Sequence, residues 1–215
     1  MKRFIITLFL IFMFAAPGAM AHEMNWDNLM LASAKLNPDF DYEKNVDSYM
    51  ALYMPEVWTK VKNDEFELED KRVEVISRMK EKISSFPLEE NFVLYTAINF
   101  RDYDFEKNVF PVDRITKDTY FVYEQKYGRN GELPFKYKVY LSNPEFVQDI
   151  KMSKEEAREF VKSRKSQFGK VDRTLVGEIK LQMKKIKETQ DMLEAEIVGV
   201  TTYRDRGETS VLQQY

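Results

Sequence analysis

The chain has 215 residues, with 33 Lys and Arg against 36 Asp and Glu, one His and no Cys. Without cysteine there is no disulfide, thiolate metal centre, iron–sulfur cluster, cysteine nucleophile or lipid-modified cysteine, and one histidine gives a Ser-His-Asp triad or a His-rich metal site little to draw on. At 44% hydrophobic and 14% aromatic residues the sequence is too apolar for a disordered chain and can bury a core.

Residues 1–21 read as a secretory signal peptide. Lys2 and Arg3 form a positive start, and a 13-residue apolar run from Phe4 to Ala16 is interrupted only by Thr7. Pro17-Gly18 breaks the run, and Ala19-Met20-Ala21 offers small residues at both cleavage positions. The run is shorter than the roughly 20 residues that cross a bilayer. Cleavage after Ala21 moves the formal charge from −3 to −5, because Lys2 and Arg3 leave and no acid does. A mildly acidic product lacks the basic footprint of a nucleic-acid binder, so no nucleic-acid partner is expected. The expected product is exported, periplasmic or secreted, with no integral membrane span after signal removal. His22 becomes the new N-terminus, where a loose end is the ordinary expectation.

Residues 25–85 carry helical periodicity. Trp26, Leu29, Met30 and Leu36 start it, closed by Asn37-Pro38. Val46, Tyr49, Met50 and Tyr53 recur at three- and four-residue spacing, and Pro55 opens a further turn. Val73, Ile76, Met79 and Ile83 form the next stripe, ended by Phe86-Pro87. From residue 91 the period becomes two: 92–98 predict a central strand, and 119–127 and 135–141 an antiparallel pair around Asn130-Gly131. Ser153 and Glu156 form a capping box for a helix over 153–168, with Phe168 on its buried stripe and Gly169 at its end. Strict alternation then predicts a long hairpin of 172–186 and 192–204.

An eight-residue element occurs twice. Asp39-Phe40-Asp41-Tyr42-Glu43-Lys44-Asn45-Val46 returns as Asp102-Tyr103-Asp104-Phe105-Glu106-Lys107-Asn108-Val109, with Phe and Tyr exchanged. Two copies do not make a solenoid. Asp-x-Asp-x-Glu resembles the front of an EF-hand loop, but Lys44 and Lys107 stand where that loop needs Gly. The competing reading is a turn whose Asp side chains bind nearby backbone N–H groups. In the second copy, alternation places Asp102, Asp104 and Glu106 together, so that mutual repulsion would raise a carboxyl pKa. Asp102, Tyr103, Asp104 and Glu106 are the candidate binding residues, and Asp102, Asp104 and Glu106 the weak metal candidates.

Other chemistry is thin. Ser77-Arg78-Met79-Lys80 matches Ser-x-x-Lys, but the Ser-Asp-Asn and Lys-Thr-Gly elements that would make it specific are absent from the sequence. A pair of carboxylates could run glycoside hydrolysis, and 36 acids leave that pair unlocated. Tyr120, Tyr123, Tyr127, Tyr137 and Tyr140 could form a stacking platform, although aromatics at strand spacing more often make core and cross-strand pairs.

Three stretches together resemble an uncharacterised bacterial family known only as a domain of unknown function. They are Tyr49 through Trp58 with Asn63-Asp64-Glu65-Phe66-Glu67, then Ser85-Phe86-Pro87, then Tyr103-Asp104-Phe105 with Phe110-Pro111. The similarity covers roughly residues 40–205. It implies an envelope or secreted setting and brings no activity, cofactor or catalytic residue.

The expected architecture is α+β. A helical layer over 22–90 packs on an antiparallel sheet of about five strands within 91–215, with one helix inserted before the C-terminal hairpin, all in one compact unit. The expected function is an exported, non-catalytic protein, without a cofactor, that binds an envelope protein or glycan. The alternatives are a carboxylate-dependent hydrolase of an envelope polymer and a weak cation-dependent binding module.

Overall fold

A computed structural model describes residues 21–126, 131–205 and 207–215. Residues 1–20 of the leader read over 1–21, Tyr127 and Asn130 lie outside the described residues.

Short strand β1 (His22–Glu23) is followed by four helices: α1 (Trp26–Leu36), α2 (Tyr42–Tyr53), α3 (Pro55–Val61) and α4 (Glu65–Ser85). Each start has a local cause. The Asn25 side chain accepts from Asn28 N–H, Asp41 from Lys44 N–H, and Asp64 from both Phe66 and Glu67, while Pro55 sits where a missing N–H costs nothing. The buried stripe of α4 is Val75, Ile76, Met79 and Ile83. Val73, expected on that stripe, is 66% exposed, because Val75 takes the inward position one turn below Met79.

The strands are β2 (Phe92–Asn99), β3 (Val109–Phe110), β4 (Tyr120–Glu124), β5 (Lys136–Leu141), β6 (Ile150–Lys151), β7 (Thr174–Ile186), β8 (Met192–Tyr203) and β9 (Val211–Gln214), with α5 (Lys154–Ser163) between β6 and β7. A seven-stranded sheet runs in the order β1-β2-β7-β8-β5-β4, with β9 on the far part of β8, and β3 and β6 pair separately. The expected hairpins are present: β4 with β5, and β7 with β8. Along β7, Leu175, Gly177, Ile179, Leu181 and Met183 are buried in strict alternation.

The sheet is mixed, which corrects the expected antiparallel sheet of about five strands. β1 runs parallel to β2, and β5 parallel to β8. After β5 the chain leaves through a short 3-10 turn, β6 and α5, and re-enters as β7 two places away. β8 reverses β7 and so points the same way as β5. β5 then occupies 192–195 of β8's outer edge and β9 occupies 201–203.

The core lies between one sheet face and α1, which rests on β5 and β7, with α2 and α4 outside it. Leu29, Val46, Met50, Val75 and Met79 from the helices, and Phe92, Ile179, Leu181 and Leu193 from the sheet, are fully buried. No helix among the described residues is long and apolar enough to cross a membrane.

Two further expectations change. α5 ends at Ser163 rather than at Phe168, which is 89% exposed in the following turn. There Arg164 donates to the carbonyls of Asp172, Arg204 and Thr174, tying the helix end to β7 and β8 instead of extending the helix. His22 is not a loose end. Its N–H donates to Asn91 O at 2.7 Å, its ring stacks on Phe86 at 4.6 Å, and its Nε2 lies 3.0 Å from Pro87 O.

Candidate functional site

Three distant segments frame a cleft of about 380 Å³: residues 23–27, Leu52 and Tyr53 at the end of α2, and residues 123–126 at the end of β4. Pairing of β1 beside β2 fixes the first segment, and the Asn25 cap turns it into α1. Trp26, 7% exposed, donates from Nε1 to Pro134 O at 3.0 Å and packs its ring 5.8 Å from Tyr137. One wall is therefore anchored to the β4–β5 connection.

The polar groups are mostly acceptors. Tyr53 donates its hydroxyl to Asp27 Oδ1 at 2.5 Å. Burial first, and then the Asp27 carboxylate, push the Tyr53 phenol far above its ordinary range, and burial also raises that of Tyr123. Both phenols stay neutral near pH 7. Gln125 is 7% exposed; its Nε2 donates to Pro134 O at 3.3 Å, and its buried Oε1 has no donor among the described residues. Glu23, Asp27 and Glu124 line the cleft with Lys126, and none of these carboxylates has an ion-pair partner among the described residues. Aromatic walls with converging acceptors suit a ligand that is apolar in body and donates hydrogen bonds.

None of the four binding candidates in the repeated element lines this cleft. Asp102, Tyr103, Asp104 and Glu106 lie on the turn before β3, and their carboxylates do not converge. Asp102 pairs with Arg173 at 2.5 Å, while Glu106 is exposed. Asp104 Oδ1 accepts from the N–H groups of Lys107 and Glu106, each at 3.0 Å. Those bonds, the Lys107 one foremost, lower the Asp104 pKa, opposite to the repulsion expected from alternation. Among the described residues no three His, Asp or Glu side chains gather to hold a metal.

Tyr103 anchors the turn, donating to Met152 O at 2.8 Å with its ring 5.0 Å from Phe110. Phe105 is 69% exposed and meets Tyr103 edge-on at 5.1 Å. The two copies use one device. Asp41 and Asp104 each accept from the N–H three residues on, and Phe40–Tyr42 and Tyr103–Phe105 make matching edge-to-face pairs at 5.0 and 5.1 Å. The first copy proceeds into α2. The second turns through Asn108 at φ +55° into β3.

The described tyrosines divide among separate roles. Tyr120 and Tyr140 form a cross-strand pair at 5.3 Å, Tyr137 is core, and Tyr123 lines the cleft. Sequence reasoning missed Asp27, Tyr53 and Gln125 as a group because they are far apart along the chain and carry no motif.

Residues 41–163 match the model of a family described as a domain of unknown function, DUF4852, so that the chain belongs to this family. The matched stretch includes both turn aspartates, Asp41 and Asp104, but not residues 23–27 of the cleft. No curated protein and no solved structure matches the chain significantly.

Proposed function

We propose that this DUF4852 family member is an exported, non-catalytic protein that binds an envelope or extracellular partner, a protein or a glycan, in the cleft between β1, α2 and β4. The observation that carries the reading is the cleft itself, where Trp26, Tyr53 and Tyr123 stand beside the carboxylates of Glu23, Asp27 and Glu124. Its strongly perturbed groups are phenols pushed away from neutral pH, a poor disposition for acid–base work and a good one for fixed hydrogen bonding. Export is supported by the leader pattern over 1–21 and by the use of residues 23–27, the first of the expected mature chain, to build one wall.

A second reading has its own support. Glu23, Asp27 and Glu124 share one cleft, as the carboxylates of an envelope-polymer hydrolase must. The cation-dependent alternative has less, since Asp102 turns to Arg173 and Asp104 to backbone N–H groups.

The test incubates the protein with envelope fractions and measures both retention and release of soluble fragments. Saturable retention that Leu52→Glu abolishes, without fragments, is expected. Fragment release that Asp27→Asn stops would replace the binding reading with the hydrolase. Retention unchanged in Leu52→Glu would place binding elsewhere and overturn the assignment to the cleft.

A further inference from the structure

We propose that the turn over 164–171, just past α5, docks the protein on an anionic lipid bilayer, with the Phe168 ring in the headgroup boundary and Lys165 and Lys170 on lipid phosphates. This surface is separate from the cleft and does not depend on the binding reading above.

The turn is built to hold its apex outward. Arg164 ties down the base, donating to the carbonyls of Asp172 and Arg204 at 2.7 Å each and to that of Thr174. Lys165 and Val171 then pair as an antiparallel bridge. Above the bridge, Ser166 N–H donates to Lys170 O at 2.8 Å and Gly169 N–H to Ser166 O at 2.9 Å. The Ser166 hydroxyl oxygen accepts from Lys170 N–H at 3.2 Å, and Gly169 closes the turn at φ +85°. Gln167 and Phe168 are left at the apex, and Phe168 is 89% exposed.

One exposed aromatic is ordinary by itself, and the charges around this one set it apart. Phe66, 77% exposed, lies between Glu65 and Glu67, and Phe105, 69% exposed, between Asp104 and Glu106. Phe168 instead lies between Lys165 and Lys170. Residues 162–173 carry Lys162, Arg164, Lys165, Lys170 and Arg173 against Asp172 alone, in a chain of formal charge −3. Lys162, Arg164 and Arg173 pair with Glu159, Asp172 and Asp102. Lys165 and Lys170 are in no ion pair among the described residues. Both line an open hollow beside the turn with Arg204. The two acids of that hollow are engaged within the protein, Asp172 with Arg164, and Asp205 with the N–H groups of Thr209 and Ser210.

An anionic bilayer meets both features at once. Its boundary region takes an aromatic ring out of water, while lysine stems lie along apolar surface and their ammonium groups reach phosphate. Repulsion of the acidic remainder of the chain favours approach with the turn foremost. A soluble polyanion would meet the lysines and leave the ring in water. One ring and two unpaired lysines give reversible attachment, half complete at roughly millimolar lipid.

The experiment floats the mature protein with vesicles of equal parts phosphatidylglycerol and phosphatidylcholine, and with phosphatidylcholine alone. Binding to the anionic vesicles is expected to be about tenfold or more tighter and to fall as salt rises. Lys165→Gln and Lys170→Gln are each expected to weaken it about fivefold, and Phe168→Ser about tenfold. These side chains are exposed, so melting temperatures should hold. Phe66→Ser and the cleft variant Leu52→Glu are expected to float as the wild type does. In Phe168→Trp, brominated lipid is expected to quench fluorescence beyond the quenching seen in the wild type.

Equal binding to phosphatidylcholine alone would show that charge is not read and would overturn the proposal. So would the absence of flotation at millimolar anionic lipid, or a loss in Phe66→Ser or Leu52→Glu as large as that in Phe168→Ser. Binding to heparin that matches vesicle binding, with Phe168→Ser unaffected and no added quenching in Phe168→Trp, would replace the bilayer with a soluble polyanion. Each of these results leaves the cleft to be decided by the retention assay.

Discussion

The backbone N–H of His22 donates to the carbonyl oxygen of Asn91 at 2.7 Å, so the residue just after the expected cleavage site begins an edge strand of the sheet. Asn91 also holds a buried side-chain oxygen with no donor among the described residues. A free amine at His22 carries three N–H donors where a peptide bond offers one. N-terminal sequencing of exported protein is expected to give His22, and the protein starting there is expected to melt higher than one with Gly-Ser placed before it. Equal melting temperatures would show that the amine adds nothing to the docked strand.

Asp104 links a local turn to acid stability. Its folded pKa lies below the ordinary value because Lys107 N–H and Glu106 N–H bond the charged form. A depressed carboxyl contributes stability that is present above the unfolded pKa, near ~3.9, and lost as pH falls through the folded value. Urea midpoints from pH 7 to pH 2 should therefore decline less steeply for Asp104→Asn than for the wild type. Asp104→Ala should be the less stable variant at pH 7, since Asn still accepts the turn's N–H groups. Millimolar calcium is expected to leave the wild-type melting temperature unchanged; a rise abolished by both variants would restore a metal role for Asp102, Asp104 and Glu106.

Gln125 tests the cost of an unmet buried acceptor. Replacing it with Leu removes the orphaned Oε1 together with one 3.3 Å bond to Pro134 O. Stability in urea is expected to hold or rise by about 1 kcal/mol, because deleting an unsatisfied buried acceptor is near neutral or favourable. A loss of several kcal/mol would instead reveal a hidden donor to that oxygen.

β7 offers the sharpest structural test. Ile179 is 0% exposed, so Ile179→Asp should unfold the protein through an unpaired buried charge costing several kcal/mol. Gly177 lies opposite Thr96, and a Cβ there would stand 2.4 Å from Ile98 Cδ1. Gly177→Ala should cost about 1–3 kcal/mol. Adding Ile98→Val, which deletes that Cδ1, should recover part of it, and a double-mutant cycle showing no coupling would contradict the close packing.

The sequence by itself determined what short-range chemistry controls. Alternation over 172–204 gave the β7–β8 hairpin, because a two-residue period with one buried face has only one register that hides Leu175, Ile179 and Leu181. Ser153 with Glu156 gave the start of α5, since a capping box closes within four residues. The duplicated Asp-x-Asp element was readable as a turn for the same reason, with Asp41 and Asp104 each bonding an N–H three positions ahead. The tertiary structure alone decided which strands meet. No local signal places β5 parallel to β8 or His22 beside Asn91, because those pairings depend on where the chain returns after α5 and on which edge remains open. It also decided the cleft, where Asp27, Tyr53 and Gln125 come together only after β1, α2 and β4 have packed. Long-range contacts of this kind carry no period and no spacing, so the chemistry they create is invisible until the chain has folded.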